Sequence, residues 1–324
     1  MILVTGGAGF IGSVLVKELN KRGHDQIWVV DRLESDDKWK NLRGLKFTDY
    51  IHADELFSMG DDFWELVTQI FHIGACSSTT ERNMDYLWEN NINYSKMLFS
   101  IAGQRDIPIL YASSAATYGD GKDGYSDEHL KVPTLKPLNG YGYSKQVFDE
   151  WVLKQEEKPS FWFGLKFFNV FGPNEYHKDD MRSLVHKAFG QINDNGKVKL
   201  FKSHKDGFKD GEQLRDFVYV RDVVNGMLHF MEQRVPGSSG IYNMGTGKCR
   251  SFLDLIKATF LAMGKSEKIE FIDMPLEIRN QYQYYTQADM KKFHEVFPEF
   301  KFGTLEDSVK DYVQSYLMAE DPHY

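Results

Sequence analysis

Apolar and polar residues fall along this chain in two kinds of block. Short, continuous apolar runs rich in β-branched and aromatic residues predict strands buried on both faces of a parallel sheet. They cover Ile2 to Thr5, Ile27 to Val30, Gln69 to Ile73, Ile107 to Ser113 and Phe161 to Phe167, with a weaker run from Lys46 to Ile51. Between them, helical periodicity appears over Ile11 to Leu19, Asp61 to Thr68, about Met84 to Gln104 and about Tyr143 to Lys154. Strand and helix in strict alternation predict an α/β fold with a doubly wound parallel sheet. Beyond Gly172-Pro173 the pattern is less regular: a helix near Ser183 to Asn193, a charged Lys202 to Gln213 stretch read as a solvated loop in preference to a flap over substrate, further βα units, and a last helix from Thr304 to Ala319. The chain contains no internal repeat.

The first strand runs directly into Gly7-Ala8-Gly9-Phe10-Ile11-Gly12, which fits the G-x-G-x-x-G spacing; Gly6, Gly9 and Gly12 also give glycines at every third position. Such glycines provide a tight turn, close approach of backbone to a pyrophosphate, and close packing of helix on sheet. The helix that follows turns its free N–H groups and dipole toward the phosphates. The second strand ends in Asp31, about where an acidic residue meets the adenosine ribose. Together these features predict a nicotinamide dinucleotide.

At 324 residues and 42% hydrophobic content, the chain is large enough for one big core or two smaller ones. No stretch is long and apolar enough to span a membrane. A formal net charge of -8 argues against general nucleic-acid binding, leaving a small molecule as the expected partner. The dinucleotide strand begins at Met1 without a cleavable leader, and Cys76 and Cys249 are the only cysteines, so a reducing cytoplasm without structural disulfides is expected. Cys76 reads as a packing residue beside the cofactor pocket, Cys249 has no suggestive neighbour, and no metal is called for.

Chemistry in open α/β sheets gathers at the carboxyl ends of the strands. Tyr141-Gly-Tyr-Ser-Lys145 sets a phenol and an ammonium one helical turn apart. Lys145 is then expected to lower the phenol's pKa, so that Tyr141 accepts a proton from a substrate alcohol. Tyr118 and Lys122 match the same spacing, but Gly119 and Gly121 suit that segment poorly to a helix. Ser113-Ser114 ends a strand and offers a hydroxyl to the reacting oxygen, or is simply a strand-end serine.

The glycine loop, Asp31, Ser114, Tyr141, Lys145 and Phe168-Asn-Val-Phe-Gly-Pro173 together resemble the extended short-chain dehydrogenase/reductase family, that is, the NAD-dependent epimerases and dehydratases, over nearly the whole chain. The resemblance implies a Rossmann domain, residues 1-168 plus about 215-248, interleaved with a smaller α/β substrate-binding domain, 169-214 plus about 249-324. It also implies a nucleotide-sugar substrate, with Tyr141 as base, Lys145 holding the nicotinamide ribose and Ser114 bridging to substrate.

Smaller motifs are similar to one branch, the heptose 6-epimerases: Gly74-Ala-Cys-Ser-Ser-Thr-Thr-Glu81, Tyr111-Ala-Ser-Ser-Ala-Ala-Thr-Tyr-Gly119, His177-Lys178, Arg215-Asp-Phe-Val-Tyr-Val220 and Tyr282-x-x-x-Thr-Gln-Ala-Asp289. That branch interconverts ADP-D-glycero- and ADP-L-glycero-D-manno-heptose for the lipopolysaccharide inner core through a transient 6-keto sugar. A second acid/base serves the epimer that Tyr141 does not, and it maps onto Lys178, whose bland reading is a surface lysine. The resemblance assigns the cofactor to Phe10, Ile11, Asp31, Arg32, Lys38, Ile73, Gly74, Ala75, Cys76, Ser77, Asn90, Lys145, Val170 and Lys178. It assigns the substrate to Asn169, Asp180, Lys187, Phe201, Lys202, Ser203, His204, Arg215 and Tyr282, and implies a homo-oligomer, specifically a homopentamer.

The chain departs from the branch at Ala53, where relatives often carry a basic residue, and at Asp180, Lys187 and Lys202 to His204, which replace other polar types. Arg32 and Lys38 favour NADP by neutralising a 2′-phosphate, whereas Asp31 alone favours the free 2′-hydroxyl of NAD. Three rival readings stand beside this one. A 4,6-dehydratase needs an acid pair where Ala115-Ala116 stand. A UDP-sugar 4-epimerase shares the Tyr/Lys pair without calling for Lys178. A non-catalytic NADP-sensing protein needs neither Tyr141 nor Lys145.

Overall fold

The computed structural model describes residues 1–279 and 282–324. Its strands are β1 (Ile2–Thr5), β2 (Ile27–Asp31), β3 (Asp49–His52), β4 (Gln69–His72), β5 (Ile109–Ser114), β6 (Trp162–Phe167), β7 (Asn169–Phe171), β8 (Val198–Phe201), β9 (Leu214–Arg215), β10 (Phe217–Tyr219), β11 (Gly240–Met244), β12 (Arg250–Ser251) and β13 (Ile269–Ile272). Seven of them form one parallel sheet in the order β11-β6-β5-β4-β1-β2-β3. Its register sets Ile2 against Ile27 on one side and Gln69 on the other.

Alternate residues of each central strand feed opposite cores, as the pleat requires. Val4, Val29, Leu110 and Ala112 join one cluster, while Leu3, Val30, Ile109 and Tyr111 join the cluster on the other face. This double burial is why the strands read as continuous apolar runs. Three two-stranded pairs lie outside the sheet: β7 with β10, β9 with β12, and β8 with β13. The last pair rests on a satellite core of Ala188, Ile192, Val198, Leu200, Ile256 and Phe260.

The helices used below are α1 (Phe10–Lys21), α2 (Asp61–Leu66), α3 (Met84–Leu87), α4 (Tyr94–Gln104), α5 (Gly140–Lys154), α6 (Leu184–Asn195), α7 (Val220–Gln233) and α8 (Phe252–Ala262). Several boundaries differ from the sequence expectation. The helix expected from Asp61 to Thr68 ends at Leu66, and the strand expected from Ile107 starts at Ile109, after Pro108. The segment from Met84 to Gln104 is helical throughout but passes through a π-helical stretch, Trp88–Asn93. Helix α5 begins at Gly140 rather than near Tyr143, because Asn139 caps it by accepting the Gly142 N–H at 2.8 Å, offsetting the low propensity of two glycines. The expected last helix is Leu305–Tyr312, capped by Thr304, followed by a π-helical stretch, Val313–Leu317. The charged Lys202 to Gln213 stretch adds no helix and no strand. No described helix is long and apolar enough to cross a membrane, and both cysteines are free thiols.

Candidate active site

Strand order turns around between β1 and β4, and a crevice opens at their carboxyl ends, the usual ligand position in such sheets. A cavity of about 160 Å³ there is lined by Thr5, Gly6, Asp31, Arg32, Lys38, Ala53, Gly74, Ala75, Cys76, Asn90 and Tyr94, among others. Gly6 takes φ +69°, and a Cβ on it would lie 2.5 Å from the Gly74 nitrogen. A Cβ on Gly12 would collide with the Gly6 carbonyl, so helix and strand approach closely only because both positions are glycine. No side chain caps the start of α1, which leaves its first amides free to meet an anion. The Tyr94 hydroxyl in the cavity wall is buried without a hydrogen-bond partner. This cradle of backbone donors and an orphaned hydroxyl fits a dinucleotide.

A chain of ordered hydrogen bonds stiffens the crevice floor. The Gly74 amide donates to Thr5 Oγ1 at 3.2 Å, Thr5 Oγ1 pairs with His72 Nδ1 at 2.7 Å, and His72 Nε2 pairs with Ser95 Oγ at 2.8 Å. Ser95 Oγ donates its own proton to the Asn91 carbonyl at 2.6 Å, so the imidazole carries its proton on Nε2 and accepts at Nδ1. Burial pushes His72 down to about 3, which keeps it neutral.

At the adenosine end, Asp31 is already engaged. It accepts the Ala8 and Arg32 amides at 2.9 and 2.8 Å and Lys38 Nζ at 3.1 Å. Arg32 bridges Asp54 at 2.5 Å and Asn90 at 2.7 Å. Ile11 and Ile73 pack against the main core, and Ser77 is exposed at the surface.

Tyr141 occupies the first turn of α5 and is partly exposed, while Lys145 is buried one turn on. Gly142 lets this end of the helix touch the turn after β5: a Cβ there would lie 2.7 Å from the Ala116 carbonyl. That turn presents Ser114, whose Oγ accepts the Ala116 amide at 3.1 Å. Burial raises the Tyr141 phenol, and a hydrogen bond with Ser114 opposes that rise. The expected easing by Lys145 is not among the effects on the phenol; the Lys145 ammonium donates instead to the Ala112 carbonyl at 2.8 Å. Burial brings Lys145 itself down to about 8. The rival Tyr118 and Lys122 pair separates: Tyr118 is buried with its hydroxyl on Asn243, and Lys122 is exposed beside Asp120.

Lys178 sits in a tight turn, Tyr176–Met181, in which Asp179 adopts a left-handed φ of +43°. Its ammonium lies 5.2 Å from the centre of the Phe10 ring at the start of α1, which ties this turn to the glycine loop. Burial lowers Lys178 and the nearby Glu175 carboxylate partly restores it. Glu175 is itself locked by the Ser183 amide and hydroxyl at 2.5 and 2.6 Å and by the Tyr312 hydroxyl at 2.9 Å. Val170 and Asn169 lie on β7, the approach to this turn.

The expected substrate residues form two groups. Arg215 is buried between the Phe252 and Tyr282 rings, 5.3 Å from each, and Phe201 meets Tyr282 edge to face. His204 joins them through its amide, which donates to the Tyr284 hydroxyl at 3.0 Å, and the Ser203 amide donates to Asp210 at 2.7 Å. Asp180 and Lys187 lie apart, beside Lys178, with Lys187 Nζ on the Asp180 carbonyl at 2.5 Å. Lys202 pairs outward with Asp273 at 3.4 Å.

Sequence reasoning missed several buried polar residues that hold the site. Asn91, carried by the π-helical stretch, accepts the Cys76 amide at 2.8 Å and donates to the Cys76 carbonyl and to Ser144 in α5, each at 3.0 Å. Its signal was an Asn-Asn pair inside a helical pattern, where asparagine is unfavourable. Asn174, at φ +73°, donates to Ser13 at 2.9 Å and accepts the Tyr324 amide at 2.8 Å. Asn41 donates to the carbonyls of both Ala8 and Asn174, at 3.0 and 3.1 Å.

Residues 2–245 match the model of the NAD dependent epimerase/dehydratase family. The ADP-L-glycero-D-manno-heptose-6-epimerase of Fusobacterium nucleatum is 48% identical over 333 residues, with 100% of both chains covered. A crystal structure of the Helicobacter pylori ADP-L-glycero-D-manno-heptose-6-epimerase superposes with a TM-score of 0.80 at 28% identity, covering 97% of this chain and 95% of that one. The Thermus thermophilus UDP-glucose 4-epimerase, solved with NAD, gives 0.75 at 25% identity over 98% of this chain and 99% of its own. A nicotinamide crevice with a Tyr/Lys helix beside it, matched end to end by these relatives, establishes that the chain belongs to the NAD-dependent epimerase/dehydratase family, in its ADP-L-glycero-D-manno-heptose-6-epimerase branch.

Proposed function

We propose that the protein interconverts ADP-D-glycero-D-manno-heptose and ADP-L-glycero-D-manno-heptose by redox-neutral epimerisation at C6, supplying heptose for lipopolysaccharide. The observation that supports this reading is a pair of side chains able to exchange a proton on two different elements, one beside the turn after β5 and the other against the start of α1. Tyr141 is on α5 next to Ser114, and Lys178 is on the turn against Phe10. Inverting an unactivated secondary alcohol means breaking its C–H bond, and the hydroxyl then points two ways in the two epimers. A nicotinamide dinucleotide held by the glycine loop, Asp31, Lys38 and Lys145 would supply the reversible hydride chemistry that inversion at C6 requires.

The chain's own residues handle the protons and the orientation. Tyr141 exchanges the hydroxyl proton of one epimer, with Ser114 holding the same oxygen, and Lys178 exchanges that of the other. Both serve as base in one direction and acid in the reverse. The Lys145 ammonium holds the nicotinamide ribose, and Arg215 with Tyr282 and Phe201 grips the nucleotide sugar. NADP is the preferred cofactor in this reading. Lys38 already neutralises Asp31, so a 2′-phosphate meets no net negative wall there, and Arg32 would give up a half-exposed contact with Asp54 and a hydrogen bond to Asn90.

The test is an assay of purified protein with ADP-D-glycero-D-manno-heptose and with UDP-glucose, without added cofactor, followed by release and identification of the bound nicotinamide. The expected outcome is conversion of the ADP-heptose alone, no net change in nicotinamide absorbance, and release of NADP. Stoichiometric NADPH formation, or turnover of UDP-glucose only, overturns the reading.

A further inference from the structure

Helix α5 carries Tyr141, Lys145 and Asp149 at steps of four residues, along one face. Asp149 is fully buried. Its carboxylate accepts Lys166 Nζ from β6 at 2.6 Å, Ser113 Oγ from β5 at 2.7 Å and the Tyr111 hydroxyl at 3.2 Å. Lys166 is equally buried, and its Nζ also donates to Thr117 Oγ1 at 2.8 Å. Thr117 Oγ1 in turn donates to the Ser114 carbonyl at 2.9 Å. An unbroken line of hydrogen bonds therefore runs from the helix bearing Tyr141 and Lys145, through β6, to the turn bearing Ser114.

Folding alone does not call for this arrangement. Desolvating two charges offsets most of what their attraction gains, and an apolar pair of like volume commonly serves stability as well or better. The pair does hold charge where the site needs it. The Lys145 ammonium faces Asp149 from its own helix, His72 from β4 and the Cys76 thiol from the loop after β4. His72 is neutral, and burial raises the thiol above its ordinary value, so Asp149 is the negative group within Coulombic reach at neutral pH. Asp149 faces Lys166 and Tyr111 directly, and Tyr118, His129 and the Tyr141 phenol at longer range.

We propose that Asp149 and Lys166 are positioning residues for the proposed epimerisation. Asp149 supplies the buried counter-charge to the Lys145 ammonium, and Lys166 locks that carboxylate while bracing, through Thr117, the turn that presents Ser114. The proposal rests on the reading of Tyr141 and Lys145 as working parts of the site. Burial on its own drives Lys145 toward the free amine, and Asp149 leads the groups that oppose it. Losing Asp149 therefore shortens the pH range over which Lys145 stays charged, at its alkaline end.

The experiment compares pH profiles of kcat/KM for the wild type, Asp149→Asn/Lys166→Met, Lys166→Arg, Thr117→Val and Tyr141→Phe, with circular dichroism and retained nicotinamide as folding controls. The double variant removes both charges of the pair together, so neither Asp149 nor Lys166 is left buried without the other, and Lys145 alone loses its counter-charge. Its alkaline limb is expected to move down by about one pH unit, while Lys166→Arg keeps the wild-type limb. Thr117→Val, which cuts only the brace, is expected to lose kcat about tenfold with KM and the limb unmoved. A folded, cofactor-bearing double variant with the wild-type limb overturns the counter-charge role. If the double variant does not fold, Thr117→Val decides, and wild-type turnover in it overturns the brace. Undiminished turnover in Tyr141→Phe overturns instead the reading on which both roles rest.

Discussion

In the proposed epimerisation, a neutral phenol and an ammonium, Tyr141 and Lys178, exchange the same kind of proton. Tyr141 keeps its proton through burial, eased by Ser114, while Lys178 is moved by burial toward the free amine, checked by Glu175. Burial thus brings Lys178 closer to a pKa at which it can both give and take near neutral pH, whereas it carries the Tyr141 phenol away from that range, against the pull of the Ser114 hydrogen bond. Tyr141→Phe and Lys178→Met are each expected to lower kcat by about a hundredfold to ten-thousandfold, the usual worth of a general acid/base, while leaving nicotinamide bound after purification. Single-turnover measurement from both epimers checks this; Lys178→Met with wild-type rates in both directions removes that residue from the mechanism. The residues that motifs announce, Asp31, Tyr141 and Lys145, were legible because each sits at a characteristic offset from a strand or a glycine turn. Asn91, Asp149 and Lys166 were not legible, since a buried polar side chain has no periodic signature. Its partner is set by a contact across the fold, as Lys166 shows by reaching Asp149 and Thr117 from another strand.

At the scale of elements, the position of α5 decides whether Tyr141 and Ser114 meet. Gly142 is the point of contact, and two physical effects there predict opposite outcomes for Gly142→Ala. Helix propensity alone favours alanine by about 1 kcal/mol. The added Cβ, however, lies 2.7 Å from the Ala116 carbonyl, in the turn that presents Ser114, and 3.0 Å from Pro137 Cβ. Overpacking of this kind costs about 1–3 kcal/mol, so contact outweighs propensity. The expected result is a melting temperature lower by a few degrees and a kcat reduced by at least about tenfold. A variant that melts higher with unchanged kcat shows that α5 is free to shift. The early elements were readable because the central strands are buried on both faces and the helices on one; β3, at the sheet edge and only partly buried, showed as a weaker run. The later strands were not: β9 and β12 have two residues each, and β7 and β10 three, too short to show any period, and they pair across long stretches of chain.

At the scale of the whole molecule, burial of neutral imidazoles couples the fold to acid. Burial lowers His72 to about 3 and His129, His177 and His186 each to about 4. All four ordinarily titrate near 6.5, so between about pH 6.5 and 4 the unfolded chain holds protons there that the native chain does not. A depressed histidine contributes stability that is present above its unfolded pKa and lost as pH falls below it. For His72, which is 2% exposed, the loss is about 1.4 kcal/mol for each pH unit below 6. Asp127, raised by burial to about 6, works in the opposite sense, because its native form binds a proton that the unfolded form releases. Glu175, Asp216 and Asp222, also raised by burial, act in the same sense as Asp127, but the larger shifts of the four imidazoles leave unfolding a net proton-uptake process in that window. Melting temperature is therefore expected to fall steadily as pH drops from 6.5 to 4.5, and His72→Gln to flatten part of that slope by deleting one titrating site. Calorimetric scans in buffers of different ionisation enthalpy check both points, since they count the protons directly. A net release of protons on unfolding at pH 5 contradicts the expectation and shows that buried carboxylates, not imidazoles, govern the acid limit of the fold.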